Sequence, residues 1–139
     1  MKDMTSKSFI FDTSVIIDDL RTKCHSERIA SLTEDVYLSA VVLAELWRGA
    51  RSRFDLEFLI DIQKSHPILT PSETIWIDSG IVLAELKKTK GFEANKLRDL
   101  HFDVLIALTA KANDLCLITA NRDDFEMIRK LRAFEMQIW

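Results

Sequence analysis

The sequence predicts an α/β fold, a three-layer α/β/α sandwich with a mainly parallel central sheet. Three observations lead to it. Short runs of strand-forming residues recur along the chain, each followed by a segment with helical apolar spacing. Several of those runs are almost wholly apolar, as strands covered on both faces require. Only 3 Gly and 2 Pro occur among 139 residues, too few for the many tight turns of an all-β chain.

The elements follow in order. Ser8-Phe9-Ile10-Phe11-Asp12 reads as a strand ending at an acid, and Thr13 or Ser14 can cap a helix from Val15 to about Leu20. A polar segment from Arg21 to Asp35 holds a second helix centred on Arg28-Ile29-Ala30. Val36-Tyr37-Leu38 is the second strand, and Ser39 caps a helix from Ala40 to Ala50. Phe54, Phe58, Leu59 and Ile62 share one face of a helix over Phe54–Lys64. Pro67-Ile68-Leu69 gives a third strand. Pro71 is expected to open a long helix, where its missing N–H costs nothing, with Ile75, Val82 and Leu86 on one stripe and an end near Gly91. The last third reads as a helix from Asp103 to Asn113, a strand over Leu115–Thr119, a helix over Asn121–Arg129 and a strand over Glu135–Ile138.

Hydrophobic residues make up 47% of the chain and charged residues 29%, which supports a packed core and excludes a disordered chain. The length suits one domain over residues 1–139, without repeats or linkers. The net charge of −3 offers no global attraction to nucleic acid, so any phosphate contact must come from local cations. Cys24 and Cys116 lie far apart and imply no disulfide framework, and Cys116 sits in an apolar run that suits a buried thiol. Met1-Lys2-Asp3-Met4-Thr5-Ser6-Lys7 leads into a short apolar stretch interrupted by Asp12, neither a signal peptide nor a membrane span. A reducing, cytoplasmic location is expected.

In an open parallel sheet, ligands collect beyond the carboxyl ends of the strands. Asp12 ends the first strand, and Thr119, Asn121 and Asp124 follow the end of another, so a parallel sheet sets both groups on one rim. Each acid also has a structural reading. Asp12 can cap the next helix. Asp103 stands at an expected helix start, where the dipole favours a carboxylate. Asn121 and Asp124 have capping-box spacing. Glu45 has no such reading, because it lies inside the helix Val41-Val42-Leu43-Ala44-Glu45-Leu46-Trp47 among apolar neighbours. A half-buried carboxylate there needs a partner: a salt bridge to Arg48 or Arg51, or a shared cation. Clustered carboxylates suit Mg²⁺ or Mn²⁺, whereas His25, His66 and His101 are scattered and no thiolate pair exists for zinc. An acidic, water-rich site of this kind suits phosphodiester hydrolysis.

The motifs carry a further resemblance. Phe11-Asp12-Thr13-Ser14-Val15-Ile16-Ile17 resembles the opening motif of PIN-domain ribonucleases. Ser39-Ala40-Val41-Val42-Leu43-Ala44-Glu45-Leu46, followed by Gly49, resembles their second motif. Asp103-Val104-Leu105-Ile106-Ala107 resembles the third and Thr119-Ala120-Asn121-Arg122-Asp123-Asp124-Phe125 the fourth. The four come in the family's order over nearly the whole chain. The length is similar to that of VapC, the toxin of VapBC type II toxin–antitoxin pairs. The resemblance implies an endoribonuclease that cuts cellular RNA, is silenced by a cognate VapB-type antitoxin and pairs into a homodimer. It implies that Asp12, Glu45 and Asp103 hold Mg²⁺ or Mn²⁺ and that Asp124 completes the cluster. Thr13, Ser14 and Thr119 would orient carboxylates or water, and Asn121 would brace the loop or contact phosphate.

Asp123 and Asp99 are the neighbouring acids that could join the site; Asp99 also reads as a surface acid beside Arg98. Candidate RNA contacts are Arg48, Arg51 and Arg53 after the Glu45 helix, and Lys96 and Arg98 before Asp103. Trp47 and Trp76 read as core or subunit-interface residues, with base stacking as the alternative. Three other functions compete. A catalytically silent PIN-like module for RNA or protein is opposed by the retention of all four acids. An aspartyl-phosphate phosphatase needs a second acid where Ser14 stands. A flap nuclease usually carries helical regions that this short chain lacks.

Overall fold

Phe9–Phe11 forms β1, all three residues buried, in a computed structural model that describes residues 8–139 of the chain; the reading of Met1–Lys7 lies outside the described part. A run buried on both faces belongs at the centre of a parallel sheet. There β1 pairs with β2 (Val36–Ser39) on one side and β4 (Cys116–Thr119) on the other. β3 (Ile68–Leu69) and β5 (Glu135–Ile138) complete the order β3-β2-β1-β4-β5, with every pair parallel. Ile10 lies in register with Tyr37 and Leu117. β5 alternates exposed and partly buried residues, as an edge strand should.

Helices flank this sheet. α1 (Thr13–Thr22), α2 (Ser26–Ser31), α3 (Ala40–Gly49) and α4 (Arg53–Ser65) connect β1 to β2 and β2 to β3. α5 (Glu73–Lys90) and α6 (Ala94–Ala112) lead back to β4, and α7 (Arg122–Leu131) joins β4 to β5. Successive strands step outward from β1 in one direction and then in the other, so the order reverses between β1 and β4. That crevice is where a doubly wound sheet gathers ligands. α1 packs on α3 and α3 on α4, while α6 packs on both α5 and α7; α3 and α6 also meet. No helix among the described residues is long and apolar enough to cross a membrane.

Several local expectations need correction. α1 starts at Thr13, not Val15, and neither Thr13 nor Ser14 caps it. Pro71 does not open α5; Ser72 is its N-cap and accepts from the Ile75 N–H, leaving Pro71 buried just outside. α6 starts nine residues before Asp103, because Leu97, Leu100 and Val104 extend the apolar stripe backwards through a polar stretch. Ser39 does cap α3, accepting from Val41 N–H at 3.1 Å. Ser52 and Asp55 form a reciprocal capping box at α4. Gly91 ends α5 at φ 67°, the left-handed conformation that glycine adopts most readily. Trp47 and Trp76 are not core residues, at 38% and 46% exposed.

One ion pair ties α7 back to α5. The Arg132 guanidinium donates to both Asp78 oxygens at 3.0 and 2.9 Å and stands 3.5 Å from Glu85. These bonds hold the Asp78 carboxyl below its ordinary pKa, so its stabilisation is present above the unfolded carboxylate value and is lost as pH falls through the folded one. Arg132→Met should lower stability by about 1 kcal/mol at pH 7, given partial exposure. Urea unfolding of the two proteins should converge as pH approaches 2.

Candidate active site

Asp12 follows β1 directly and is 3% exposed. Its backbone occupies the N-cap of α1, yet its side chain makes no capping bond, so the capping explanation fails. The carboxylate is instead held from the side. Ser14 Oγ and Thr119 Oγ1 each donate to Asp12 Oδ2 at 2.8 Å. Both hydroxyls are themselves fixed: Ser14 accepts from the Ala120 N–H at 3.0 Å, and Thr119 accepts from the Asn121 N–H at 2.9 Å. The Asp12 N–H reaches Ile118 O at 2.9 Å. Thus the ends of β1 and β4 and the first turn of α1 are bonded into one unit around a single carboxylate.

Glu45 approaches from α3. Thr13 Oγ1 donates to Glu45 Oε1 at 3.0 Å, and no ion pair to Arg48 or Arg51 forms among the described residues. Burial raises the Glu45 pKa against the pull of the Thr13 hydroxyl; the nearby Asp12 charge adds to the rise and Arg48 subtracts from it.

Asp103 lies in mid-helix on α6, not at a helix start, so the helix dipole does not account for it. Its carboxyl accepts no hydrogen bond from any described residue. Burial first, then the charges of Asp12, Asp124 and Glu45, push its pKa up to about 8, with Lys96 opposing. The other three acids that the motifs single out therefore all lie within electrostatic reach of Asp103. Asp124 is oriented by two donors, Lys96 Nζ and Asn121 Nδ2, each at 3.1 Å. Asn121 provides no side-chain cap to α7, so the capping-box reading gives way to a bracing contact.

The remaining candidates separate. Asp123 and Asp99 are exposed, and neither acts on Asp103. Arg48, Arg51 and Arg98 are exposed. Lys96 was expected among phosphate contacts, but its ammonium is paired with Asp124 and lies 5.8 Å from the Phe92 ring centroid. Its position was readable in principle: Lys96 and Asp103 are seven residues apart, two turns on one helical face. That inference needs the early start of α6.

The donor chemistry fits a hard divalent ion. The cluster offers only oxygen ligands, its acids repel one another, and Asp103 has no hydrogen-bond partner among the described residues. As they stand, no three ligating groups among the described residues are close enough to share one ion; Lys96, Thr13, Ser14 and Thr119 occupy part of the carboxylates' bonding capacity.

The sequence pattern that defines the PIN domain matches residues 9–131. The chain belongs to the PIN-domain family. No curated relative matches it in sequence. Among solved structures, this PIN domain is similar to VapBC-1 from nontypeable Haemophilus influenzae, with a TM-score of 0.74 at 24% identity, covering 95% of this chain and 98% of that one. It is similar to DNA-bound VapBC from Salmonella typhimurium, with a TM-score of 0.71 at 23% identity over 96% and 99%. FitAcB from Neisseria gonorrhoeae superposes with a TM-score of 0.66 at 25% identity over 92% and 95%. The first two likenesses establish the fold of the PIN domain, a parallel sheet flanked by helices.

The raised Asp103 pKa has a measurable sign. Between the unfolded value of 3.8 and about 8, the folded protein holds a proton that the unfolded chain has released, so stability without metal falls as pH rises through that window. Asp103→Asn removes the penalty. It should be more stable than the wild type at pH 8 in EDTA by on the order of 3 kcal/mol, and the two should converge near pH 4, as read by urea unfolding.

Proposed function

We propose that this PIN domain is a VapC-like toxin, a Mg²⁺- or Mn²⁺-dependent endoribonuclease acting on cellular RNA in the cytoplasm. The observation that carries the reading is Asp103, a carboxyl inside a helix with no hydrogen-bond donor among the described residues and three other acids acting on it. Such an arrangement is costly unless a cation joins it. The VapBC neighbours support a cognate VapB-type antitoxin as a partner; the homodimer follows from the family resemblance alone, and the domain is read as a single unit over residues 1–139.

Asp12, Glu45 and Asp103 would hold the ion, with Asp124 completing the cluster. Once bound, the ion would polarise the scissile phosphoryl oxygen and make a water more acidic. The chain's own groups prepare the place. Ser14 and Thr119 fix one oxygen of Asp12 and leave the other free to ligate. Thr13 fixes one oxygen of Glu45. Asn121 holds Asp124, and Asp103 would have to be deprotonated to serve as a ligand. Lys96 offsets part of the cluster's charge through its ion pair with Asp124.

A catalytically silent binding module is the second reading. It is favoured by the Lys96–Asp124 pair and by the absence of three ready-placed ligands among the described residues. Mapping RNA 5′ ends after brief expression separates the two and identifies the substrate. The toxin reading expects discrete new ends with the wild type and none with Asp12→Asn or Asp103→Asn; in vitro, EDTA stops cleavage. Cleavage that persists in both variants would exclude this site. Thr119→Val, which removes one donor to Asp12, should reduce activity by about 10–100-fold while leaving the protein folded.

A further inference from the structure

We propose that the corner between α1, α3 and α4 is a track for single-stranded RNA. It leads from Glu45 past Arg21, Arg48 and Arg51 to a base-stacking platform at Phe54. The inference rests on the ribonuclease reading and adds the surface that would guide the strand. A depression runs here, lined mostly by apolar and small residues such as Ile17, Leu20 and Leu46, with Arg21, Glu45 and Asp55 as its polar members. Arg48, Arg51 and Phe54 do not line it but are chain neighbours of residues that do. One end is therefore the candidate active site, and the other is the start of α4.

The charges along it are arranged asymmetrically. The acids are engaged: Asp55 Oδ2 accepts from the Arg51 and Ser52 N–H groups at 3.0 and 3.3 Å, and Glu57 pairs with Arg53 at 3.2 Å. The cations face water. Arg21, Arg48 and Arg51 are exposed, and none of the three guanidinium groups forms an ion pair among the described residues. Arg21 acts on Asp55 and Arg48 on Glu45, which places them toward opposite ends of the depression. Phe54 is 55% exposed although it stands in an ordered helix, and the Lys23 ammonium lies 5.8 Å from its ring centroid.

Free guanidinium groups beside an exposed ring are the two elements of a sequence-tolerant single-strand site: cations follow the phosphates while a base stacks on the ring. Arg21 lies eight residues beyond Thr13 on α1, about 12 Å along the helix. A strand held at the carboxylates would reach it within a few nucleotides. A chain of carboxylates would gain the same cations but nothing specific from the exposed ring, and its own charges would be repelled at the Glu45 end. Those two considerations favour RNA over an acidic protein segment.

The test is fluorescence anisotropy with a labelled 12-nucleotide oligouridylate, with Ca²⁺ replacing Mg²⁺, over a series of salt concentrations. Arg21→Ala and Arg51→Ala should each weaken binding by about three- to tenfold and flatten the salt slope by about 0.7. Phe54→Ala should weaken it by about tenfold with the slope unchanged, and Phe54→Trp should restore it. In cleavage assays the same variants should raise KM and leave kcat within about twofold. Unchanged affinity and KM in all three variants, with an active wild type, would overturn the track and leave the ribonuclease reading intact. Lost binding of a glutamate-rich peptide with RNA binding unchanged would assign the corner to an acidic protein and overturn it as well. A wild type that neither binds nor cuts RNA would remove the ribonuclease reading and this inference together.

Discussion

A carboxylate buried at the end of a central strand must be supplied with hydrogen bonds, and much of the site's geometry can be understood from how Asp12 receives them. Two hydroxyls converge on one of its oxygens, one from the first turn of α1 and one from the last residue of β4. Both are held in turn by backbone N–H groups of the segment that follows β4. Removing either hydroxyl leaves a buried anion underbonded, a cost of a few kcal/mol. The arrangement also requires β1 and β4 to be adjacent and in register. The parallel pairing of Phe11 with Ile118 provides this, setting Asp12 and Thr119 at the same end of neighbouring strands.

The other acids are positioned by different elements, which is why they can converge without being close in sequence. Glu45 is brought in by α3, whose start is fixed by Ser39 at the end of β2. Asp103 is brought in by α6 on the returning half of the chain, and Asp124 by α7. The place where α3 and α6 meet is therefore where the two halves of the doubly wound sheet both contribute to the candidate site. Lys96, on the same helical face as Asp103, supplies a fixed positive charge within the cluster.

Much of the architecture was legible from the sequence because apolar strands and amphipathic helices announce themselves by period. The parallel sheet, the seven helices expected from Val15 onward and the Ser39 cap all rest on local patterns of that kind. What the sequence obscured were boundaries set by tertiary contacts. Asp103 looked like a helix start because Lys96, Arg98, Asp99 and His101 make the preceding residues read as polar. In the fold, Leu97 and Leu100 suffice to carry the helix through them. Asp12, Asn121 and Asp124 sit where capping residues sit, and only the hydrogen-bond partners show that their side chains do something else. The motifs brought those acids together by resemblance; periodicity and capping rules alone would have kept three of them structural.

The position of Asp103 explains why strain there can persist. It is followed on α6 by Val104, Leu105, Ile106 and Ala107, all fully buried, so the helix cannot shift outward to hydrate the carboxyl without unpacking its own core face. A loop carrying the same residue would relax into water and lose the raised pKa. Rigid support thus keeps a costly group in place. The same rigidity bears on how charge compensation must occur. It has to come to Asp103, as a proton, as the neighbouring ammonium of Lys96, or as a metal ion drawn to the four acids. Were a metal ion to bind there, it would compete with the proton and its binding would be coupled to proton release; the helix that would enforce this competition is also packed against α3, α5, α7 and β4.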